Sequence, residues 1–224
     1  MDGVSSAIKR LDGIASVSAD VARQLVYVEG SAAPSAIVSA IEGTGREAVL
    51  RGSGRSNSAG VCILETHAVG ADPVKGLARL VQVGERVTVV DVTVKGLGVG
   101  RYWVTVRERG DVSRGAGSTG GVWEAGRESS GSGRGRGELG TIEVGGDGRG
   151  SVFMDWPVPV WEVVGRSMVV SRLLDGPFER DDPDTLVGVI ARSAGVWEND
   201  KTVCSCSGKT VWEERKEQQE RGMM

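Results

Sequence analysis

The sequence predicts a mostly β-stranded chain in which a small α+β unit precedes a β-sandwich or barrel. Glycine accounts for 35 of the 224 residues, roughly twice its average share. It separates short valine-rich segments that recur between Val61 and Trp197. Such segments, divided by tight turns, are typical of an antiparallel sandwich or barrel. Hydrophobic residues make up 39% of the chain, which is enough for a packed core.

The first unit, residues 1–54, alternates helix and strand patterns. Apolar residues recur at helical spacing over 4–11 and again from Pro34, a residue suited to the first turn of a helix. Strand patterns are found at 14–17, 24–29 and 48–50. The order αββαβ resembles a ferredoxin-like α/β sandwich that lacks its first strand. We therefore expect a small core and an unpaired strand edge.

A Gly/Ser/Asn-rich linker at 51–60 joins the first unit to the central region, residues 55–197, and overlaps its start. The central region holds the valine-rich segments. Strands are predicted at 61–65, 77–83, 87–94, 102–108, 141–144, 151–154, 168–171 and 188–191. A Gly/Ser/Arg-rich segment at 126–140 interrupts them, and its composition predicts an irregular loop.

Charge and residue counts exclude several classes of protein. Lys and Arg number 27 against 30 Asp and Glu, so the chain lacks the basic field that would bind nucleic acid or an anionic membrane. No apolar run is long enough to span a bilayer, and the N-terminus lacks the apolar core of a signal peptide. His67 is the only histidine, which is too few for a histidine-based metal site. The three cysteines favour a reducing compartment over a disulfide framework.

The tail, residues 198–224, contains the most specific chemical motif, Cys204-Ser205-Cys206. Lys201 and Lys209 lie close in sequence and favour the thiolate form of both cysteines. Soft thiolates suit Cu(I), whereas Zn(II) requires four ligands that this segment does not supply. Disulfide exchange with a partner, or two ordinary surface thiols, are the alternatives.

Three other features are assigned structural roles. Cys62 lies within an apolar strand and is expected to be a small buried hydrophobic residue. His67, a lone histidine after a strand, is expected to be solvated or hydrogen-bonded rather than a ligand. Thr210 and Glu213 have the spacing of a helix capping box, so a short exposed helix is predicted after them in an otherwise irregular tail.

Taken together, these residues resemble the fungal copper chaperones for copper-zinc superoxide dismutase over essentially the whole chain. The most specific matching segments are 188–197 (GVIARSAGVW) and 203–216 (VCSCSGKTVWEERK). Weaker matches lie at 33–37, 51–54 and 74–79.

The resemblance implies three regions in the order already drawn. Residues 1–54 are expected to form a heavy-metal-associated, ferredoxin-like domain. Residues 55–197 are expected to form a Greek-key β-barrel similar to copper-zinc superoxide dismutase. Residues 198–224 are expected to be a copper-transfer tail with its C-x-C motif.

The chain departs from the family in its first domain. The family carries M-x-C-x-x-C between the first strand and the first helix, but here no cysteine precedes Cys62. The copper-binding loop is therefore missing together with the first strand. We expect the natural reading frame to begin upstream of Met1.

The barrel departs from the dismutase at its metal ligands. When 104–111 (VTVRERGD) is aligned with the dismutase motif F-H-V-H-E-F-G-D, Thr105 and Arg107 take the places of two copper-ligand histidines. Val122 aligns with the histidine that bridges the two metals, and Ser171, after 165–170 (GRSMVV), aligns with a further copper ligand. Ala116 and Val187 take the places of the disulfide cysteines. The resemblance thus implies a scaffold without copper, zinc or the disulfide, and without dismutase activity.

The implied function is that of a metallochaperone rather than an enzyme. The barrel is expected to form a heterodimer with immature dismutase through 188–197 and part of 51–61. Cys204 and Cys206 would hold Cu(I), and Cys204 would form a mixed disulfide with the target. The cytoplasm is the expected compartment, with the mitochondrial intermembrane space as a second one, and a homodimer is left open. The rival functions are a copper-independent thiol oxidoreductase and a catalytically inactive, dismutase-like interaction protein.

Overall fold

A computed structural model describes residues 2–71, 73–124 and 135–196, together with residues 210, 213, 216 and 217 of the tail. It divides into two compact units, residues 1–50 and residues 51–224. Among the described residues, no helix combines the length and the apolar character that crossing a membrane requires.

The N-terminal unit contains two helices and a two-stranded antiparallel sheet. Its elements are α1 (Asp2–Lys9), β1 (Ile14–Asp20), β2 (Leu25–Gly30) and α2 (Pro34–Glu42). Pro34 begins α2 at a position where its missing N–H costs no hydrogen bond. Among the described residues of this unit, only Val4 and Ile8, one helical turn apart on α1, are buried. The predicted helices, the first two strands and the small core are confirmed.

The third predicted strand of this unit, residues 48–50, is wrong. Residues 46–50 have no regular secondary structure. A strand is stable only with a hydrogen-bonded neighbour, and β1 and β2 pair only with each other among the described residues. The apolar composition of 48–50 therefore does not suffice to form a strand.

The second unit contains ten strands among its described residues, nine of them hydrogen-bonded in one β-barrel sheet. All eight predicted strands are present. The strands are β3 (Ala59–Glu65), β4 (Val74–Gly84), β5 (Val87–Val94), β6 (Gly100–Val106), β7 (Ser113–Ala116), β8 (Glu138–Val144), β9 (Gly150–Trp156), β10 (Ser167–Ser171), β11 (Leu186–Val189) and β12 (Ala191–Ser193). The short β7 is not predicted by the sequence. Part of the predicted loop at 126–140 belongs to β8, and residues 125–134 lie outside the described part of the chain.

The predicted strand at 188–191 is divided at Ile190. Its N–H donates to the Arg166 carbonyl and its carbonyl accepts from Gly165, both at 2.8 Å. This exchange with the neighbouring turn bends the chain. As a result, β11 pairs with β10 and β3, whereas β12 pairs with β3 alone.

The strand order makes the barrel a Greek key. The hydrogen-bonded path runs β8–β6–β10–β11–β3–β4–β5–β9. The chain crosses the barrel between β5 and β6 and again between β9 and β10, so sequence neighbours are not always sheet neighbours. The two ends of the path, β8 and β9, are consecutive strands joined by a short turn and lie in contact, so the barrel is nearly closed.

A polar cluster ties the start of β6 to the segment before β11. The Tyr102 hydroxyl donates to Asp184 at 2.9 Å, and the Gly98 N–H and Arg172 donate to the same carboxylate. Burial opposes ionisation of Asp184, but these hydrogen bonds and the Arg172 charge outweigh it and lower the pKa of the carboxyl group. The ionised carboxylate therefore joins two distant turns.

Candidate functional site

The predicted copper ligands Cys204 and Cys206 lie outside the described residues. The third cysteine, Cys62, is fully buried in the barrel core on β3. Burial raises the pKa of this thiol to about 12, so it stays protonated and its expected structural role is confirmed. His67 is half-buried against Gly115, and its Nδ1 has no hydrogen-bond partner among the described residues. That it is solvated or hydrogen-bonded rather than a ligand stays a prediction.

The capping box that follows the Cys-Ser-Cys motif is present. The Glu213 carboxylate accepts from the Thr210 N–H at 2.7 Å, and the Glu213 N–H donates to the Thr210 hydroxyl at 3.2 Å. These two hydrogen bonds satisfy the backbone N–H groups of Thr210 and Glu213 at the start of a helix. Glu213, Lys216 and Glu217 are helical, so the helix predicted after the thiol pair begins where the sequence places it.

The residues at the four positions where the dismutase carries histidine ligands offer no imidazole to a metal ion. The Thr105 hydroxyl is buried and directed at the Val169 carbonyl, 3.5 Å away. The Ser171 hydroxyl bonds the Thr185 hydroxyl at 3.1 Å, and Val122 is apolar. Within the described ranges, no group of three or more His, Cys, Asp or Glu side chains is placed to hold a metal ion. These positions do not fit the metals of a copper-zinc dismutase.

Arg107, which replaces another predicted ligand, is buried and heavily hydrogen-bonded. Its side chain is only 1% exposed. One terminal nitrogen donates to the Gly120 carbonyl at 2.6 Å and to the Asp175 carboxylate, and the other donates to the Leu174 carbonyl at 3.3 Å. The guanidinium lies 5.1 Å from the ring centre of Phe178. It lines an open pocket of about 300 Å³.

An apolar cluster occupies the place that the sequence alignment assigns to the disulfide. Ala116 and Val187, at the two cysteine positions, are buried together with Val169, and Phe178 and Val112 pack against them. The segment around β7 is therefore held to β11 by van der Waals contact rather than by a covalent bond.

The two stretches predicted to form an interface lie against each other. The Ser53 N–H donates to the Ala194 carbonyl at 3.2 Å, and the Val196 N–H donates to the Gly54 carbonyl at 2.9 Å. Next to them lies a groove of about 330 Å³ lined by Asn57, Val160, Trp161, Val164 and Arg192.

Trp161 is the most prominent exposed side chain of this surface. It is 70% exposed, and Ile63 and Val189 are also exposed apolar residues on adjacent strands. We call the surface formed by Ile63, Gly110, Trp161, Val164, Val189 and Arg192 the docking face. An exposed tryptophan beside an arginine and a groove is the composition found at the centre of protein interfaces. Sequence reasoning missed Trp161, although its Pro-Val-Pro-Val-Trp context interrupts the strand pattern.

Two family models match the chain, one on each unit. The heavy-metal-associated domain model matches residues 3–47, and the copper/zinc superoxide dismutase model matches residues 74–185. Among solved structures, the clock protein EA4 superposes with a TM-score of 0.50 at 20% identity, over 62% of this chain and 96% of that protein. That likeness supports the fold of the barrel.

Relatives match the chain across both units. The chain is 46% identical to the Superoxide dismutase 1 copper chaperone of Debaryomyces hansenii, over 100% of this chain and 92% of that protein. It is 41% identical to the protein of the same name from Saccharomyces cerevisiae, over 97% and 89% of the two chains. It is 35% identical to the Copper chaperone for superoxide dismutase of Sus scrofa, over 96% and 84%.

Proposed function

We propose, since the chain belongs to the family of superoxide dismutase copper chaperones, that it delivers Cu(I) to copper-zinc superoxide dismutase and promotes the target's disulfide through Cys204 and Cys206. The relatives that share its full length are named as copper chaperones. The chain is accordingly a chaperone rather than an enzyme, and the copper is its cargo.

One observation supports this function above the others: the barrel has the dismutase fold but not the dismutase ligands. The family model covers residues 74–185, from β4 to the residue before β11, whereas the ligand positions of the dismutase carry Thr105, Arg107, Val122 and Ser171. Such a domain can reproduce the shape of the target without performing its chemistry. Recognition of the target is the role that remains.

The docking face supports recognition through a heterodimer. A homodimer interface is self-complementary, so a relative with the same surface can replace one subunit. Trp161 supplies a large rigid apolar area, and Arg192 beside it supplies a planar donor. We propose that these residues contact the subunit surface that immature dismutase uses for its own partner.

The tail supplies the copper chemistry. Cys204 and Cys206 are separated by one residue, so both sulfur atoms can bind one Cu(I), the ion that soft thiolates prefer. Docking converts transfer between two molecules into a local step, with an effective concentration on the order of mM. The copper then passes to histidine ligands of the target.

The disulfide step proceeds by thiol–disulfide exchange. Cys204 and a target cysteine join as a mixed disulfide, and the two electrons and two protons removed pass to a dissolved oxidant such as dioxygen. The second target thiolate attacks the target's own sulfur in that bond, and Cys204 leaves as a thiolate. The target then carries its internal disulfide. Reduced thiols suit the cytoplasm, which we propose as the compartment, and the mitochondrial intermembrane space remains open.

The test combines metal counting with target maturation. The reduced chain is titrated with Cu(I) against a competing chelator and then mixed with metal-free, disulfide-reduced dismutase. We expect the wild-type chain and the Cys62→Ala control to bind copper and activate the target. Cys204→Ser and Cys206→Ser should each abolish activation.

Two results would contradict the carrier function. Normal activation by the double-serine variant would exclude the tail as the transfer site. Disulfide formation in the target by a chain that binds no copper would instead favour a copper-independent thiol oxidoreductase.

A further inference from the structure

We propose that Arg107 is a positioning residue whose guanidinium replaces a metal ion as the fixed cation of the barrel. It joins the glycine loop (residues 117–121) to the proline loop (residues 174–178), and thereby holds the docking face. The joining of the two loops does not depend on the proposed function, whereas the effect on docking rests on that function.

The hydrogen bonds of Arg107 reach both loops from one planar group. Gly120, in the glycine loop, accepts at 2.6 Å, and Leu174, in the proline loop, accepts at 3.3 Å. Asp175 of the proline loop adds the only carboxylate among these acceptors. Two loops that are distant in sequence are thus held by a single positive charge, as a metal ion would hold its ligands.

Burial makes this link strong. A charged side chain that is 1% exposed is stable only when its charge is paired. Both terminal nitrogens of Arg107 donate hydrogen bonds, whereas its buried Nε has no partner among the described residues. The acceptors here are two backbone carbonyls and one carboxylate, which suit the fixed fork of a guanidinium better than the point charge of a lysine. The loops and the arginine therefore stabilise one another.

The apolar cluster at the disulfide position reinforces the same link. Phe178 of the proline loop lies over the Arg107 guanidinium and packs on the buried Ala116, Val169 and Val187. The cation and the apolar cluster share this one aromatic ring. Together they take the places of the metal ion and the disulfide that the dismutase family implies.

The glycine loop connects Arg107 to the docking face. Glu108 donates its N–H to Gly121 at 3.1 Å, and Arg109 donates to Thr119 at 2.9 Å. The next residue, Gly110, packs so closely that a Cβ there would lie 2.1 Å from the Gly165 carbonyl and 3.8 Å from a Val189 methyl. Displacing the glycine loop would therefore disturb this part of the face.

Hydrogen exchange of the free protein tests the loop link without the target. Arg107→Met removes the charge, and Arg107→Lys retains it without the fork. Arg101→Met is the matched control, because Arg101 lies on β6, the strand that Arg107 directly follows, in an exposed ion pair with Glu143. We expect amide exchange in both loops to rise by about tenfold to a hundredfold in Arg107→Met, from the usual strength of hydrogen bonds to charged groups. Arg107→Lys should be intermediate and Arg101→Met unchanged.

Two further measurements separate a specific cation site from general packing. In Arg107→Ala, millimolar ethylguanidinium should restore loop protection, whereas it should leave Arg101→Ala unaffected. Zn²⁺ added to the wild-type chain should leave loop exchange unchanged. Unchanged loop exchange in Arg107→Met would overturn the proposal. So would a change in the loop exchange of the wild-type chain when Zn²⁺ is added, and this second result is decisive even if a variant unfolds.

Affinity for metal-free dismutase is measured on the same samples. We expect Arg107→Met to weaken docking while Arg101→Met does not. A wild-type chain that fails to dock contradicts the proposed function and leaves the exchange result intact. A chain that docks equally well with loosened loops contradicts the link from Arg107 to the docking face.

Discussion

Replacing Trp161 by alanine should weaken docking on dismutase without weakening the fold. Trp161 lies in a short 3-10 helix (Val160–Glu162) and projects from the docking face. Its side chain is 70% exposed, so the barrel core gains little from it. Its large apolar surface becomes useful only when a partner covers it.

The expected loss follows from the area that remains to be buried. A tryptophan side chain presents up to about 250 Å², so an exposure of 70% leaves roughly 170 Å², or about 4 kcal/mol at ~25 cal/mol per Å². Alanine retains part of this contact and a partner relaxes around it. A loss of about 2–3 kcal/mol, or roughly 30- to 150-fold in Kd, is therefore expected.

The assay is isothermal titration or fluorescence binding with metal-free, disulfide-reduced dismutase. Phe153→Ala is the control, because Phe153 is an exposed aromatic residue on β9, outside the docking face. Both variants should keep the Tm of the wild type to within a few degrees. If Trp161→Ala binds within about twofold of the wild type, a factor worth only about 0.4 kcal/mol, the docking face has been placed wrongly.

Three further predictions concern the fold. Cys62, whose buried thiol has its pKa raised to about 12, should resist alkylation at pH 8 in the native chain and react once the chain is unfolded; rapid native labelling, measured by mass spectrometry, would contradict its burial. Asp184, whose pKa is lowered on folding, stabilises the barrel above its unfolded pKa, and this contribution is lost as the pH falls through the lower folded value. Asp184→Asn should therefore cost about 1–2 kcal/mol at neutral pH and flatten the acid limb of the stability curve; an unchanged limb would refute the assignment. Gly188→Ala should cost about 3 kcal/mol, because a Cβ there would lie 1.8 Å from the Ile63 carbonyl; Gly146→Ala, in open space, is the control in denaturant titrations, and equal stability of the two variants would exclude this close approach.

The local sequence pattern predicts the barrel strands because the residue composition of each strand is by itself typical of a strand. β5 (Val87–Val94) is predicted to the residue, since valine and threonine fill a half-buried pleated surface well. The segment 48–50 (Ala-Val-Leu) is also apolar but forms no strand, because a strand also depends on a neighbour that local sequence does not describe. The four-residue β7 is too short to show a pattern at all.

The residues of the candidate site also fall into two groups: those that a local motif identifies and those whose role depends on distant residues. The thiol pair and the capping box at Thr210 are local motifs, so the sequence alone identifies them. The role of Arg107 depends on acceptors 13 and 67 residues away, at Gly120 and Leu174. Sequence alignment shows that Arg107 stands at a ligand position, but only the fold shows where its guanidinium is held.

A barrel that has the shape of the target but lacks its metal ligands suits a copper carrier, because the barrel then does not compete with the target for copper. A tail tethered to its own barrel meets that barrel at an effective concentration on the order of mM. If histidines stood at the positions of Thr105, Arg107 and Ser171, the barrel would offer Cu(I) the same imidazole ligands as the target, and at closer range. The cargo would then be captured by its carrier. Replacing these ligands removes the competition, and the hydrogen bonds of Arg107 to Leu174 and Gly120 are the means by which we propose that the barrel keeps its docking face.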